Sequence, residues 1–325
     1  LGDVYKRQAF RKQDLAPSDV LTLGRRFAER FPEREESILV VGLRTAGSYF
    51  APLFRALLET EGYRKVESVT IRPGRGLNAR ERSALRASAG GRAVLLDDPP
   101  FSGDTMAHAA DLLRRAGFAA DRLAVLFPVH PLRRHWRGNL ESVSLAHLLT
   151  LSLEPEHWHK THLLEPAAVE ARLTEYFRRR GYDSVRVVAS SAAAEAFNAR
   201  LESACEEKRR NRLKRVYEVR LQTEDGGGEA RFVLAKSVGW GYLSYHAFLC
   251  ASRLTGFVPP LLGLRDGLLY TEWVPQPAAV PAEAAEREAW IERIGAYVAA
   301  RSRRLRLPED PTPRLGLNKQ HDAFE

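Results

Sequence analysis

Four short apolar runs constrain this chain more than any other feature. They are ILVVG (Ile38 to Gly42), VESVTI (Val66 to Ile71), RAVLLDD (Arg92 to Asp98) and LAVLFPV (Leu123 to Val129). An unbroken apolar run such as ILVVG reads as a strand covered on both faces, as in a parallel sheet. The spaces between the runs read as helices. Ala16 to Phe31 opens with Pro17 and Ser18 and carries Leu21, Phe27 and Ala28 on one face. A second helix is expected from Ser48 to Glu61, stopped by Gly62, and a third from Thr105 to Arg115, ended by Gly117. Arg72 to Arg92 is polar, with four Gly and six Arg, and is expected to be a mobile loop with a short helix inside. Strand, helix, strand, loop, strand, helix, strand is an α/β pattern around a parallel sheet.

The pattern changes after about residue 150. Pro166 to Arg180 reads as a helix capped by Gly181, Val185 to Val188 as a short strand, and Ser191 to about Arg210 as a charged helix. VYEVRLQ (Val216 to Gln222) and RFVLAKS (Arg231 to Ser237), joined through Gly226-Gly227-Gly228, read as a hairpin. A helix from Leu243 to Leu254, a strand GLLYTEWV (Gly267 to Val274), a linker from Pro275 to Pro281 and a helix from Ala282 to Leu305 follow. The fold class expected is α/β, a parallel-sheet unit over 9–163, then a helical linker region over 164–212 and a smaller, incomplete α+β unit over 213–325.

Composition narrows the setting. At 325 residues the chain can hold two cores, and 44% hydrophobic with 28% charged residues is ordinary for a soluble globular protein. No apolar run reaches membrane-spanning length, no secretory signal stands before the first strand, and Cys205 and Cys250 suit neither a disulfide framework nor a zinc site. A cytoplasmic protein without a membrane partner is the expectation. The net charge of +9, from 42 Arg and 8 Lys against 41 acids, asks for an anionic partner, and phosphate-rich small molecules satisfy that as well as nucleic acid does. LGDVYKRQ at the start fits no structural pattern and is set aside, and the whole is read as a fragment of a longer protein.

The chemistry concentrates in VLLDDPPFSGDT, Val94 to Thr105. A buried strand delivers two adjacent carboxylates, Asp97 and Asp98, at its C-terminal end. Ser102 and Gly103 then open a helix through Asp104 and Thr105. Ligands of open α/β sheets bind outside the carboxyl ends of the strands, and a helix N-terminus is an anion site. Carboxylates suit sugar hydroxyls and the small-residue loop suits a phosphate, so the combination asks for a sugar phosphate.

This order of apolar strand, Asp-Asp, three residues and Ser-Gly-x-Thr resembles the phosphoribosyl-diphosphate signature of type I phosphoribosyltransferases. The resemblance implies that Asp97 and Asp98 hold the ribose 2′ and 3′ hydroxyls, and that Ser102, Gly103, Asp104 and Thr105 form the 5′-phosphate loop. Pro99-Pro100, Phe101 and the extra charge of Asp104 depart from the family pattern. The family also places a diphosphate loop after the first strand. Here that is Gly42, Arg44, Thr45, Ala46 and Gly47, with Arg44 as the charged contact. A mobile loop before the signature strand would contribute Arg72, Arg75, Arg80 or Arg82. The implied activity is a glycosyltransferase-class transfer of phosphoribosyl from phosphoribosyl diphosphate to an unknown acceptor, with release of diphosphate and with Mg2+ held mostly by ligand oxygens and water. Asp97, Asp98 and Arg44 would be catalytic. Nucleotide metabolism is the setting this suggests.

A hood recognising the acceptor would come from the N-terminal segment or from Pro131 to His162, where Trp136 and Arg137 offer stacking and a polar contact. His157, His159 and His162 lack accompanying cysteines and are read as ordinary histidines, with no metal-ligand set among protein residues. From about Leu213, the hairpin, helix and strand resemble the N-lobe of the kinase-like phosphotransferase fold. That resemblance implies a nucleotide-binding role for Lys236, with Glu272 to Val274 near an adenine edge. No Glu stands between Leu243 and Leu254 to pair with the lysine. The alternatives are a non-catalytic ligand-sensing or nucleic-acid-binding module on the same fold, or an accessory domain of a kinase-like phosphotransferase. A nucleic-acid partner is not expected, and a homo-oligomer is compatible with the sequence.

Overall fold

The computed structural model describes residues 14–100, 102–130, 148–207, 213–239, 242–274 and 283–306. In chain order its elements begin with α1 (Pro17–Arg30), β1 (Ser37–Leu43), α2 (Gly47–Thr60) and β2 (Lys65–Ile71). Next come α3 (Ala79–Ala87), β3 (Arg92–Leu96), α4 (Asp104–Arg115), β4 (Leu123–Pro128) and β5 (Leu149–Leu153). The five strands form one parallel sheet in the order β2-β1-β3-β4-β5.

Both faces of this sheet are covered, which is why its central strands read as unbroken apolar runs. The alternation of side chains sorts them cleanly. Val40, Val94, Leu96 and Leu126 pack with Leu23 and Phe27 of α1 and Phe50 and Phe54 of α2. Leu39, Val41, Leu95 and Val125 pack on the other face with Met106, Ala109 and Leu113 of α4 and Leu85 of α3. β5 was not among the expected strands. It is an edge strand with half-buried, mixed residues, and Arg26 of α1 holds it through a 2.6 Å bond to the Ser152 carbonyl.

The remaining elements are α5 (His159–Leu163), α6 (Pro166–Arg178), β6 (Ser184–Val187), α7 (Ala192–Glu207), β7 (Lys214–Gln222), β8 (Gly228–Ser237), α8 (Tyr242–Arg253), β9 (Leu261–Arg265), β10 (Leu268–Glu272) and α9 (Ala284–Arg304). The second sheet is antiparallel, ordered β6-β7-β8-β10-β9. The β7–β8 hairpin turns at Gly226, with φ of 82°, as the Gly run led one to expect. The stretch 164–212, expected to link two units, instead supplies β6 to this sheet, while Val169, Leu173 and Phe177 of α6 fill its core beside Tyr217 and Val233. Val185 of β6 belongs to the same core as the apolar side of α6.

A buried polar cluster joins the two sheets. Lys160 of α5 is fully buried, and its Nζ donates to Ser237 Oγ at 2.9 Å and to the Gly239 carbonyl at 3.3 Å. The Ser237 hydroxyl donates to Asp14 Oδ1, and the Leu213 amide donates to Asp14 Oδ2 at 2.7 Å. Asp14 and Lys160 flank the parallel sheet, whereas Ser237 ends β8.

Candidate active site

The strand order decides where a ligand belongs. From β1 the chain crosses to β2 on one side and then returns past β1 to β3 on the other, so the order reverses between β1 and β3. Open α/β sheets bind ligands in the crevice at such a reversal, outside the carboxyl ends of the strands. The loops leaving those two strands hold residues 44–47 and 97–105, which are the two segments singled out by sequence. They also touch. A Cβ on Gly47 would lie 2.4 Å from the Gly42 carbonyl carbon and 3.0 Å from the Leu96 carbonyl oxygen. Gly42 and Gly47 let the start of α2 settle directly on the ends of both strands.

Asp97 and Asp98 follow β3, each partly buried. The Asp98 amide donates to Asp97 Oδ1 at 2.9 Å. Burial, and then the charge of Asp98, hold the Asp97 carboxyl well above the usual carboxylate range. No Arg or Lys contributes to lowering it. Two adjacent carboxyls at a strand end are acceptors, and sugar hydroxyls are donors that suit them.

Gly103 caps α4 in the left-handed region, with φ of 86°. It has no side chain with which to cap the first turn. Thr105 is exposed on that first turn and does not cap the helix. Ser102 and Asp104 are both exposed, and the Ser102 hydroxyl donates to Asp104 Oδ2 at 2.6 Å. Ser102 is therefore turned onto its neighbour and not outward as a free phosphate donor. Asp104 places its charge in the first helical turn, where the helix dipole favours it. Phe101 lies outside the described residues.

Thr45 is half-buried, and Ala46 and Gly47 are buried at the start of α2; the Arg44–Thr45 peptide bond is cis. Arg44 differs most from expectation. Its guanidinium Nη2 donates to the Thr70 carbonyl at 2.6 Å and pairs with Glu81 Oε1. Thr70 belongs to β2 and Glu81 to α3, so the side chain is committed to the side of β1 away from β3. Glu81 is the functional candidate that sequence reading passed over. Its sequence signal was the capping box Asn78-x-x-Glu81, in which Asn78 Oδ1 accepts from the Glu81 amide and Glu81 Oε2 accepts from the Asn78 amide, both at 2.9 Å.

The segment 72–91 holds a short 3-10 turn, Pro73–Arg75, and α3, whose Leu85 is fully buried. Arg72, Arg75 and Arg80 are exposed, and Arg82 donates to the Leu77 carbonyl. The proposed hood residues Trp136 and Arg137 lie outside the described residues. Of the three histidines, His159 gives its amide to Asp19 Oδ1 at 2.7 Å and His162 Nδ1 meets Glu165 Oε1 at 2.7 Å. Lys236 is exposed on β8, in register with Lys214 of β7 and Leu269 of β10. No helix among the described residues is long and apolar enough to cross a membrane.

No family model matches the sequence, and no curated protein matches it. Among solved structures the chain is similar to wild-type AmpT from Thermus thermophilus, at 12% identity and a TM-score of 0.20, over 68% of this chain and 61% of that one. The chain thus spans about 61% of that protein's length, and a likeness this distant carries no argument about fold or activity.

Proposed function

We propose that the parallel-sheet unit is a phosphoribosyltransferase that binds phosphoribosyl diphosphate in the crevice between β1 and β3. The observation that carries this reading is the close seat of the α2 start on the ends of β1 and β3 at the strand-order reversal, where the Asp97-Asp98 pair and the start of α4 also lie. Asp97 and Asp98 accept the ribose hydroxyls. The first turn of α4 takes the 5′-phosphate, with Thr105 adding its hydroxyl. The start of α2 takes the diphosphate.

In the reaction the acceptor's electron pair forms the new bond to the anomeric carbon as the bond to diphosphate breaks, and diphosphate leaves with those electrons. Acids held on the ribose hydroxyls keep the sugar oriented while positive charge builds on its ring. No group of three or more potential metal-ligating side chains occurs among the described residues. Mg2+ keeps several waters and takes phosphate oxygens with one or two carboxylates. Bound there, Mg2+ would supply neutralisation of diphosphate charge. The acceptor class is left open.

The test is calorimetric titration of the full chain with ribose 5-phosphate and with phosphoribosyl diphosphate plus Mg2+. Both are expected to bind. Thr105→Ala is expected to lose about tenfold in affinity for ribose 5-phosphate, since a hydrogen bond to a charged group is worth roughly 1.5–3 kcal/mol. Its stability should stay within about 0.5 kcal/mol of the parent, because Thr105 is exposed and caps nothing. Binding of neither ligand would refute the proposal.

A second reading concerns the smaller sheet. Lys214 and Lys236 stand directly opposite each other on β7 and β8, and two cations gathered at one place suit an anionic ligand such as a nucleotide phosphate. Titration with a nucleoside triphosphate should show binding that Lys236→Ala removes, and equal binding by the variant would discard the assignment.

A further inference from the structure

Arg44 is assigned to the diphosphate, yet it is already engaged by an acid. Its Nη2 reaches the Thr70 carbonyl at 2.6 Å and the Glu81 carboxylate. Glu81 is buried, with its side chain only 8% exposed, while the Arg44 side chain is 37% exposed. The guanidinium sits at the surface with its anion behind it. Glu81 in turn is fixed at the start of α3 by the reciprocal bonds with Asn78, and α3 is anchored by Leu85 in the core. The pair spans 37 residues and ties the β1–α2 loop to the segment that precedes the signature strand.

We propose that Glu81 is an internal competitor for diphosphate, a latch that holds Arg44 on the β2 side of the sheet until a stronger anion draws it across. The inference rests on the reading of Arg44 as the diphosphate contact. Glu81 supplies a carboxylate where the ligand supplies phosphate oxygens, and a guanidinium donates to either. Exchange needs only a side-chain swing, because α3 and its cap stay in place when Arg44 leaves. The cost of breaking the pair is then subtracted from the affinity for diphosphate and leaves the ribose 5-phosphate half of the site untouched. Glu81 is on this account a positioning residue that sets selectivity between the two halves.

The test compares inorganic pyrophosphate with Mg2+ against ribose 5-phosphate on three full-length proteins. Glu81→Gln keeps the cap, since a glutamine oxygen accepts from the Asn78 amide, but removes the charge facing Arg44. Its pyrophosphate affinity should rise about tenfold, with ribose 5-phosphate affinity unchanged within twofold. Asn78→Ala loosens the start of α3 while retaining the Glu81 charge, and its pyrophosphate affinity should not rise. A Glu81→Gln protein with unchanged or weaker pyrophosphate binding overturns the latch. So does an Asn78→Ala protein that gains as much as Glu81→Gln. If the parent binds ribose 5-phosphate, such results remove the latch alone. A parent that binds neither ligand removes the phosphoribosyl reading and the latch with it.

Discussion

Replacing Asp97 and Asp98 together by Asn should abolish measurable sugar-phosphate binding and stabilise the protein at neutral pH. The two effects share one cause. Asp97 is held well above the ordinary carboxylate range by burial and by its neighbour's charge. Its contribution to stability is therefore fully present below the unfolded value, about pH 4 for Asp, and is lost as pH rises through the higher folded value. Asn carries no charge to repel, so the double variant should be more stable than the parent near pH 7 by about 1 kcal/mol, a typical gain when a functional site is relieved. The two proteins should converge below about pH 4. Binding goes the other way. Each carboxylate that accepts a hydroxyl is worth roughly 1.5–3 kcal/mol, so losing two should cost at least about a hundredfold in affinity for ribose 5-phosphate. Denaturant titrations from pH 4 to 8 beside calorimetry check both arms. Unchanged affinity would take the acids out of the site, and a double variant less stable than its parent at pH 7 would show that the pair is a structural asset.

Gly47→Ala should be the most damaging single substitution in the β1–α2 loop. Its Cβ would meet the Gly42 carbonyl carbon at 2.4 Å, the Gly42 Cα at 2.7 Å and the Leu96 carbonyl oxygen at 3.0 Å. All three are backbone atoms of buried central strands, so none can swing aside as a side chain would. Overpacking in a core costs about 1–3 kcal/mol, and a clash with fixed backbone belongs at the upper end. A loss of about 3 kcal/mol in urea unfolding is expected, together with weaker pyrophosphate binding because the start of α2 must back away from β3. A loss under about 0.5 kcal/mol would mean that the loop has room to move, and that the contact of α2 with the ends of β1 and β3 does not hold the crevice together.

The sequence made the parallel sheet legible because its strands are buried on both faces. ILVVG and RAVLL have no polar side to confuse with a helix. The loop after β3 was legible because its residue types sit at fixed spacing on a strand end. β5, LTLSL, was not, since an edge strand with half-buried polar residues looks like a loop. β9 is a different case. Asp266-Gly267, with φ of 50° and 76°, is a type I′ hairpin turn between β9 and β10, and Asp-Gly between apolar runs is a readable signal for it. The pairing of Arg44 with Glu81 could not be read. Neighbours in space that lie far apart in sequence leave no local pattern, and the capping box accounted for Glu81 without it.

The Lys160 cluster bears on how the two sheets can be inherited. A gene fragment encoding the parallel sheet alone would keep Lys160 and Asp14 but lose Ser237, the Gly239 carbonyl and the Leu213 amide that they bond. It would bring to the surface an ammonium and a carboxylate that are buried in the whole chain. Recombination that attaches this sheet to another partner must therefore supply a matching hydroxyl and carbonyl, or replace both charges at once. The two sheets are expected to be inherited together, with residues 14, 160 and 237 changing jointly wherever this arrangement occurs.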